Sequence, residues 1–260
     1  MILKSSDQSG YKPQRIISLV PSQTELLHWL GLEDETIAIT KFCVHPEEWF
    51  RAKQRIGGTK AINIEKILEL KPDLVIANKE ENIKDQIEEI ARELPVWVTD
   101  VNTLEDAYLM ITDIGSLTGK IEEAKTLVTG IKSNFEIVLE SFPVNNRIPA
   151  AYLIWKDPFM TIGGDCFISH MMHAAGFRNV FANKTRYPEI NIKDIRESQC
   201  RFLLLSSEPY PFKQKHIALL QQELPEVRII LVDGEMFSWY GSRLLEAPSY
   251  FASLLKMYDL

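Results

Sequence analysis

The sequence predicts an α/β protein built from two lobes, and three observations point to that fold class. Its 260 residues exceed what one small core requires and suit two lobes of roughly 100–130 residues each. Short apolar runs typical of buried strands alternate with helical patterns, as in parallel sheets covered by helices on both faces. From Gly119 to about Phe142, apolar residues recur at helical spacing without a proline. We therefore expect lobes at 1–117 and 144–260, joined by one long helix at 118–143.

The first lobe is predicted from patterns that alternate between residues 15 and 98. Strands are predicted at 15–20, 36–40, 74–77 and 96–98, and helices at 22–31, 64–70 and 83–93. The first helix opens with an S-x-x-E pattern at Ser22–Glu25, which predicts a capping box, and ends at Gly31, a typical C-terminal stop. Amide groups left free at this helix start could bind an anionic or amide group of a ligand.

The second lobe repeats the alternation. Strands are predicted at 150–155, 202–206 and 227–232, and helices at 168–175, 217–223 and 249–258. The segments Asn63–Ile67 and Asn191–Ile195 lead at the same spacing into an apolar strand, which favours related lobes. Gly163–Asp165 precedes a helix and offers exposed backbone, but no Gly-Lys-Ser/Thr follows, so it is not a P-loop.

Charge and hydropathy exclude two classes of partner. The formal net charge is −7 and the pI about 5.4, and an acidic surface repels the phosphate backbone of nucleic acids. No apolar run approaches the roughly 18 residues that a membrane span requires. The first ten residues lack the positive start and the apolar stretch of roughly 7–15 residues that mark a secretory signal, which leaves a cytoplasmic location open.

Motifs of catalysis are missing from the sequence, so we expect no enzyme and no cofactor. There is no G-x-S-x-G elbow, H-E-x-x-H motif, P-loop or dinucleotide fingerprint. The neighbouring carboxylates Glu80 and Glu81 would point in opposite directions in an extended segment. Cysteine and histidine can ligate zinc, and candidates are Cys43, His45, Cys166, His170 and His173. The number of cysteines is odd, without a paired C-x-x-C, so we expect no metal site.

Aromatic residues near predicted strand ends are the best binding candidates. Trp155, Phe159, Trp239 and Tyr240 lie where α/β proteins place ligands, and flat ring faces suit a large planar ring. His45 follows the second strand, and its neutral imidazole could ligate cobalt or iron in a chelate. Asn78 opens a polar segment directly after a strand, which favours a role in the same site.

An ordered series of short motifs extends over nearly the whole chain after residue 14. It comprises Arg15–Glu25, Gly57–Gly58, Asn63–Ile67, Leu70–Ala77, Pro158–Thr161, Ala175–Gly176, Asn179–Phe181 and Tyr187–Glu189. Together these motifs resemble class III substrate-binding proteins, which serve importers of vitamin B12, iron-siderophores and haem. The resemblance is closest to the vitamin B12-binding branch. It implies two Rossmann-like α/β lobes, a single backbone helix and a ligand cleft between the lobes.

The resemblance also implies roles for individual residues. Phe42, Phe159 and Tyr187 match positions where aromatic side chains line the cleft. Glu235 falls where the B12-binding branch places an acidic contact, and Arg243 matches a family arginine. The sequence departs from the pattern at Asn78, which replaces a tryptophan and implies a more polar pocket.

Docking to a transporter is implied for one acidic residue on each lobe. Glu65 matches the first, whereas the second position is Lys193, so that Asp194 beside it is the candidate. The resemblance implies a monomer that carries cobalamin or an iron chelate to the permease of an ABC importer, in the periplasm or at the cell surface. Two alternatives remain: a cytoplasmic carrier or sensor of the same fold, and an enzyme acting on a tetrapyrrole-like compound.

Overall fold

The computed structural model describes residues 1–3, 12–141 and 147–258. These residues group into two compact units. Unit one consists of Met1–Val101, Glu105–Gly130 and Trp239–Arg243, and unit two of Asn102–Leu104, Ile131–Ser238 and Leu244–Leu260. Each unit contains its own parallel sheet, which confirms the predicted α/β class with two sheet-containing parts.

Unit one is built on a five-stranded parallel sheet in the order β3-β2-β1-β4-β5. Its central strands are buried because helices cover the sheet, which explains their continuous apolar character. The elements are β1 (Ile16–Ser18), α1 (Pro21–Trp29), β2 (Thr36–Ile39), α2 (Glu47–Ala52), β3 (Gln54–Arg55), α3 (Ile64–Leu70), β4 (Leu74–Asn78), α4 (Lys84–Glu93), β5 (Val96–Thr99), α5 (Leu104–Thr118) and the start of α6 (Ile121–Ser141).

Unit two is built on a four-stranded parallel sheet in the order β11-β10-β6-β8, with a separate antiparallel pair, β7-β9. The elements are β6 (Ile148–Leu153), β7 (Phe159–Met160), α7 (Phe167–Ala174), β8 (Phe177–Asn179), β9 (Glu189–Ile190), α8 (Ile192–Glu197), β10 (Phe202–Ser206), α9 (Gln214–Glu223), β11 (Arg228–Val232), α10 (Glu235–Ser238), a 3₁₀ helix (Ser242–Leu245) and α11 (Ala247–Met257).

The long helix α6 lies within residues 118–143, where the sequence predicts a connecting helix. It begins at Ile121, and its residues divide between unit one, up to Gly130, and unit two, from Ile131. The predicted end near Phe142 lies outside the described residues. Over the ranges that the structure describes, no helix is both long and apolar enough to cross a membrane.

The predicted capping box at Ser22–Glu25 is wrong. Pro21 occupies the first turn of α1, where its fixed φ suits the helix, so Val20 becomes the N-cap and makes no side-chain capping bond. The predicted end of this helix is confirmed, because Gly31 follows the end of α1 with φ of +70°.

The similarity between the segments Asn63–Ile67 and Asn191–Ile195 has a structural basis. The side chain of Asn63 accepts the Lys66 N–H at 2.9 Å at the start of α3. The side chain of Asn191 accepts the Asp194 N–H at 3.1 Å at the start of α8. Both helices lead into an inner strand of their own sheet, β4 in unit one and β10 in unit two. The same asparagine cap therefore starts equivalent helices in the two units.

Candidate functional site

In unit one, the carboxyl end of β4 is closed by a buried asparagine network. The amide nitrogen of Asn78 donates to the Thr99 carbonyl and hydroxyl at 3.1 Å, and its oxygen accepts the N–H groups of Glu80 and Glu81. Asn82 in turn accepts the Asn78 N–H at 2.8 Å. Asn78 is buried and its amide is engaged, so it organises the turn at the end of β4. Its contact with a ligand stays a prediction.

The loop after β2 presents Phe42, whose side chain is 51% exposed. Its ring lies against Gly58, where a Cβ would approach the ring to 3.0 Å. Cys43 lies buried beneath this loop, and its sulfur accepts a hydrogen bond from the Thr24 hydroxyl at 3.1 Å. Burial raises the pKa of the Cys43 thiol. The inert thiol thus serves packing, and the exposed ring of Phe42 remains available to a ligand.

His45 and Trp239 lie together in unit one. Their rings meet edge to face with centroids 5.6 Å apart. The guanidinium of Arg243 stacks over the Trp239 ring at 4.9 Å, and it forms a two-pronged ion pair with the carboxylate of Glu25. Trp239 and Tyr240 are only 6% and 7% exposed, so neither offers the open ring face that the sequence suggested. Trp239 instead contacts His45 and Arg243, both of which are half-buried.

Unit two presents aromatic side chains after β6. Trp155 is 41% exposed and packs edge to face against Tyr210, with centroids 5.7 Å apart. Phe159 lies in β7 opposite Ile190 of β9, half-buried against the core. Tyr187, also half-buried, belongs to the segment that leads into β9. The sequence missed Tyr210, whose aromatic neighbours become visible only in the fold.

Glu235 lines an open pocket of about 430 Å³ in unit two. The pocket lies at the carboxyl ends of β10 and β11, and Asp233 is a second carboxylate in its wall. The Glu235 N–H donates to the Asp233 carboxylate at 3.1 Å, and Ser207 accepts the Gly234 N–H at 2.8 Å. Two acidic groups at one pocket suit a ligand that offers hydrogen-bond donors.

The predicted docking residues differ in their surroundings. Glu65 is exposed in the first turn of α3. The Asp194 carboxylate accepts the Asn191 N–H at 2.8 Å as part of a capping box. Lys193 is exposed, with its ammonium 3.6 Å from Glu197. Asp194 is therefore half-buried and partly engaged, whereas Glu65 projects its charge into solvent.

The described part of the chain contains no group of three or more histidine, cysteine, aspartate or glutamate residues able to hold a metal ion. Cys43, Cys166 and Cys200 are buried thiols, none of them in a disulfide.

Comparisons of this chain with known proteins all point to the same family. A sequence model described as periplasmic binding protein matches residues 16–226. The vitamin B12-binding protein of Pectobacterium carotovorum subsp. carotovorum is 26% identical over 247 residues, which cover 94% of this chain and 88% of that protein. A Bacillus subtilis protein described as an uncharacterized ABC transporter substrate-binding lipoprotein is 28% identical over 187 residues, 69% of this chain and 59% of that protein.

The same fold is found in a solved structure. The periplasmic vitamin B12 binding protein BtuF of Vibrio cholerae superposes with a TM-score of 0.81, covering 96% of this chain and 99% of that one. At 21% identity this likeness shows the fold alone. The matching proteins are periplasmic or lipoprotein substrate-binding proteins, not enzymes.

Proposed function

Because the chain belongs to the periplasmic binding protein family, we propose that it captures a corrinoid or a related metal chelate and delivers it to an ABC importer. The observation that carries this proposal is the exposure of aromatic rings at the carboxyl ends of parallel strands. Phe42 follows β2 in unit one, and Trp155 follows β6 in unit two. Ligands of α/β proteins bind at this edge of the sheet, and open aromatic faces suit a macrocycle.

The ligand contacts that we propose are aromatic residues supplemented by polar ones. Phe42 and His45 would contribute from unit one, and Trp155, Phe159, Tyr187 and Glu235 from unit two. Trp239, Tyr240 and Arg243 would act by holding His45 in place, and Asn78 by shaping its turn. The protein would require no cofactor of its own, because cobalamin or an iron chelate would be its cargo.

The importer would recognise acidic residues at the starts of two related helices. Glu65 on α3 is exposed. It matches the position of the acidic residue through which class III substrate-binding proteins dock to their transporter. For Asp194 on α8 we propose a weaker contribution, because its carboxylate also caps the helix and Lys193 lies beside it. The proposed location is the periplasm or the cell surface, and the proposed working form is a monomer.

The chain offers a matched pair of tryptophans for testing the aromatic contacts. Trp155 and Trp29 are 41% and 38% exposed, but Trp29 ends helix α1, away from the carboxyl ends of the strands. We expect Trp155→Ala to weaken binding of cyanocobalamin or haemin by about tenfold or more, since aromatic contacts dominate such sites. Trp29→Ala should leave the affinity unchanged. Calorimetry measures both, and equal affinities of wild type and both variants would contradict the assignment of Trp155.

A further inference from the structure

A larger pocket, of about 730 Å³, shares no lining residue with the sites described above. It belongs to unit two and its volume suits a small ligand or a substituent of a larger one. Its polar lining includes Asn102, Thr103, Asp165, His170, His173 and Arg186.

The wall that carries Arg186 is built by backbone pairing. Gly163 donates its N–H to the Arg186 carbonyl at 2.7 Å, and Gly164 donates to Lys184 at 3.0 Å. A Cβ on Gly163 would lie 2.4 Å from the Lys184 carbonyl oxygen, so the two segments approach as closely as only glycine permits. Thr161 continues the pairing with Pro188 at 3.0 Å.

Arg186 is further fixed by the side chains that precede α7. Its φ is +56°, an uncommon conformation for a residue with a side chain. The Arg186 N–H donates to the Asp165 carboxylate at 2.6 Å, and the Cys166 thiol donates to the Arg186 carbonyl at 3.2 Å. Asp165, the one acidic side chain among the lining residues, is thereby engaged in holding Arg186.

One guanidinium and two imidazole side chains face a single carboxylate in the pocket lining. His170 and His173 are three residues apart on α7 and so lie on one helix face. The pKa of His173 is lowered, first by burial and then by the positive charges of Arg147 and His170. Arg147 is adjacent, because its Nε donates to the His173 carbonyl at 3.0 Å. The guanidinium of Arg186 in the lining, with that of Arg147 close to α7, favours an anionic group here.

We propose that this pocket binds an acidic group, a carboxylate or a phosphate, with Arg186, His170 and His173 as hydrogen-bond donors. Arg186 immediately precedes Tyr187, one of the proposed aromatic contacts. The acidic group could therefore belong to the chelate, and the inference then rests on the proposed function. It could equally be a free small anion, and the inference is then independent of that function.

The first arm of the test uses citrate and inorganic phosphate with the full chain. We expect the His173 ring signals in NMR spectra to shift saturably, with a rise in the His173 pKa because a bound anion stabilises the protonated imidazole. Arg186→Gln should weaken binding about tenfold, since a charge-assisted bond is lost. Arg178→Gln, at an exposed arginine of β8, removes the same charge and should change nothing.

The second arm compares haemin with haemin dimethyl ester, which carries the same ring without carboxylates. If haemin binds more tightly than its dimethyl ester, and this difference is lost in Arg186→Gln, the pocket is assigned to a substituent of the chelate. Binding of citrate or phosphate without binding of any chelate would support the pocket while contradicting the proposed function. The proposal is overturned if neither citrate nor phosphate shifts the His173 ring signals, and if neither esterification of haemin nor Arg186→Gln alters the affinity for the chelate.

Discussion

The ion pair between Arg243 and Glu25 fastens the Trp239–Arg243 segment to helix α1 within unit one. Two guanidinium nitrogens, Nε and one Nη, donate to the two carboxylate oxygens, and the same guanidinium stacks over Trp239. Replacing Arg243 by glutamine removes the charge and both interactions. Replacing it by lysine keeps the charge but loses the planar fork, so lysine should restore little.

The magnitude follows from the partial burial of the pair. The side chains of Arg243 and Glu25 are 13% and 20% exposed. Exposed pairs contribute about 0–1 kcal/mol, whereas removing one partner of a buried pair costs about 3–5 kcal/mol. We therefore expect Arg243→Gln to lower the free energy of unfolding of unit one by about 2 kcal/mol. The exposed pair Arg51–Glu47 is the control, and Arg51→Gln should cost at most about 0.5 kcal/mol.

The assay must report on unit one, because two units can unfold independently. Hydrogen exchange of the α1 amides meets this requirement. A double-mutant cycle with Glu25→Gln should give a coupling energy of about 1–2 kcal/mol. If the effects of the two substitutions on the free energy of unfolding are additive to within about 0.3 kcal/mol, the ion pair does not stabilise the attachment of this segment to α1.

Three further substitutions test the framework. His216 accepts the Lys213 N–H through Nδ1 at 2.8 Å, and burial lowers its pKa, so its stabilisation is present above the unfolded pKa of about 6.5 and is lost as pH falls below it. His216→Asn should flatten the pH dependence of urea unfolding between pH 7.5 and 5; an unchanged slope contradicts this. Gly163→Ala should destabilise unit two by more than about 2 kcal/mol, because its Cβ would strike a carbonyl; a midpoint equal to wild type in urea would disprove the close approach. Asn78→Ala should cost about 2–4 kcal/mol of unfolding free energy by leaving buried groups unsatisfied, and near-native thermal stability of the variant would contradict this.

Patterns local in sequence were predictable from the residues. Helix α3 and strand β10 begin and end where predicted, because apolar periodicity and flanking caps coincide there. Helix α5 was missed although Ala107, Ile111 and Ile114 recur on one buried face. The two-residue strands β3, β7 and β9 are too short to produce a periodic signal.

The candidate site was predictable only in part. The family resemblance pointed to Phe42, Phe159 and Tyr187, whose degree of exposure permits ligand contact, although their roles remain predictions. The burial of Asn78 and Trp239 could not be foreseen, because it depends on packing against residues distant in sequence. The pocket around Arg186 and His173 was hidden for the same reason, since backbone pairing brings separate segments together.

Binding of a corrinoid or a related metal chelate is tested most directly by equilibrium titration of the wild-type chain with cyanocobalamin, cobinamide, haemin and a ferric siderophore, followed by calorimetry and tryptophan fluorescence. We expect saturable binding of at least one of these, with a Kd of about 1 µM or below. Absence of saturable binding for all four at concentrations of about 100 µM would contradict it.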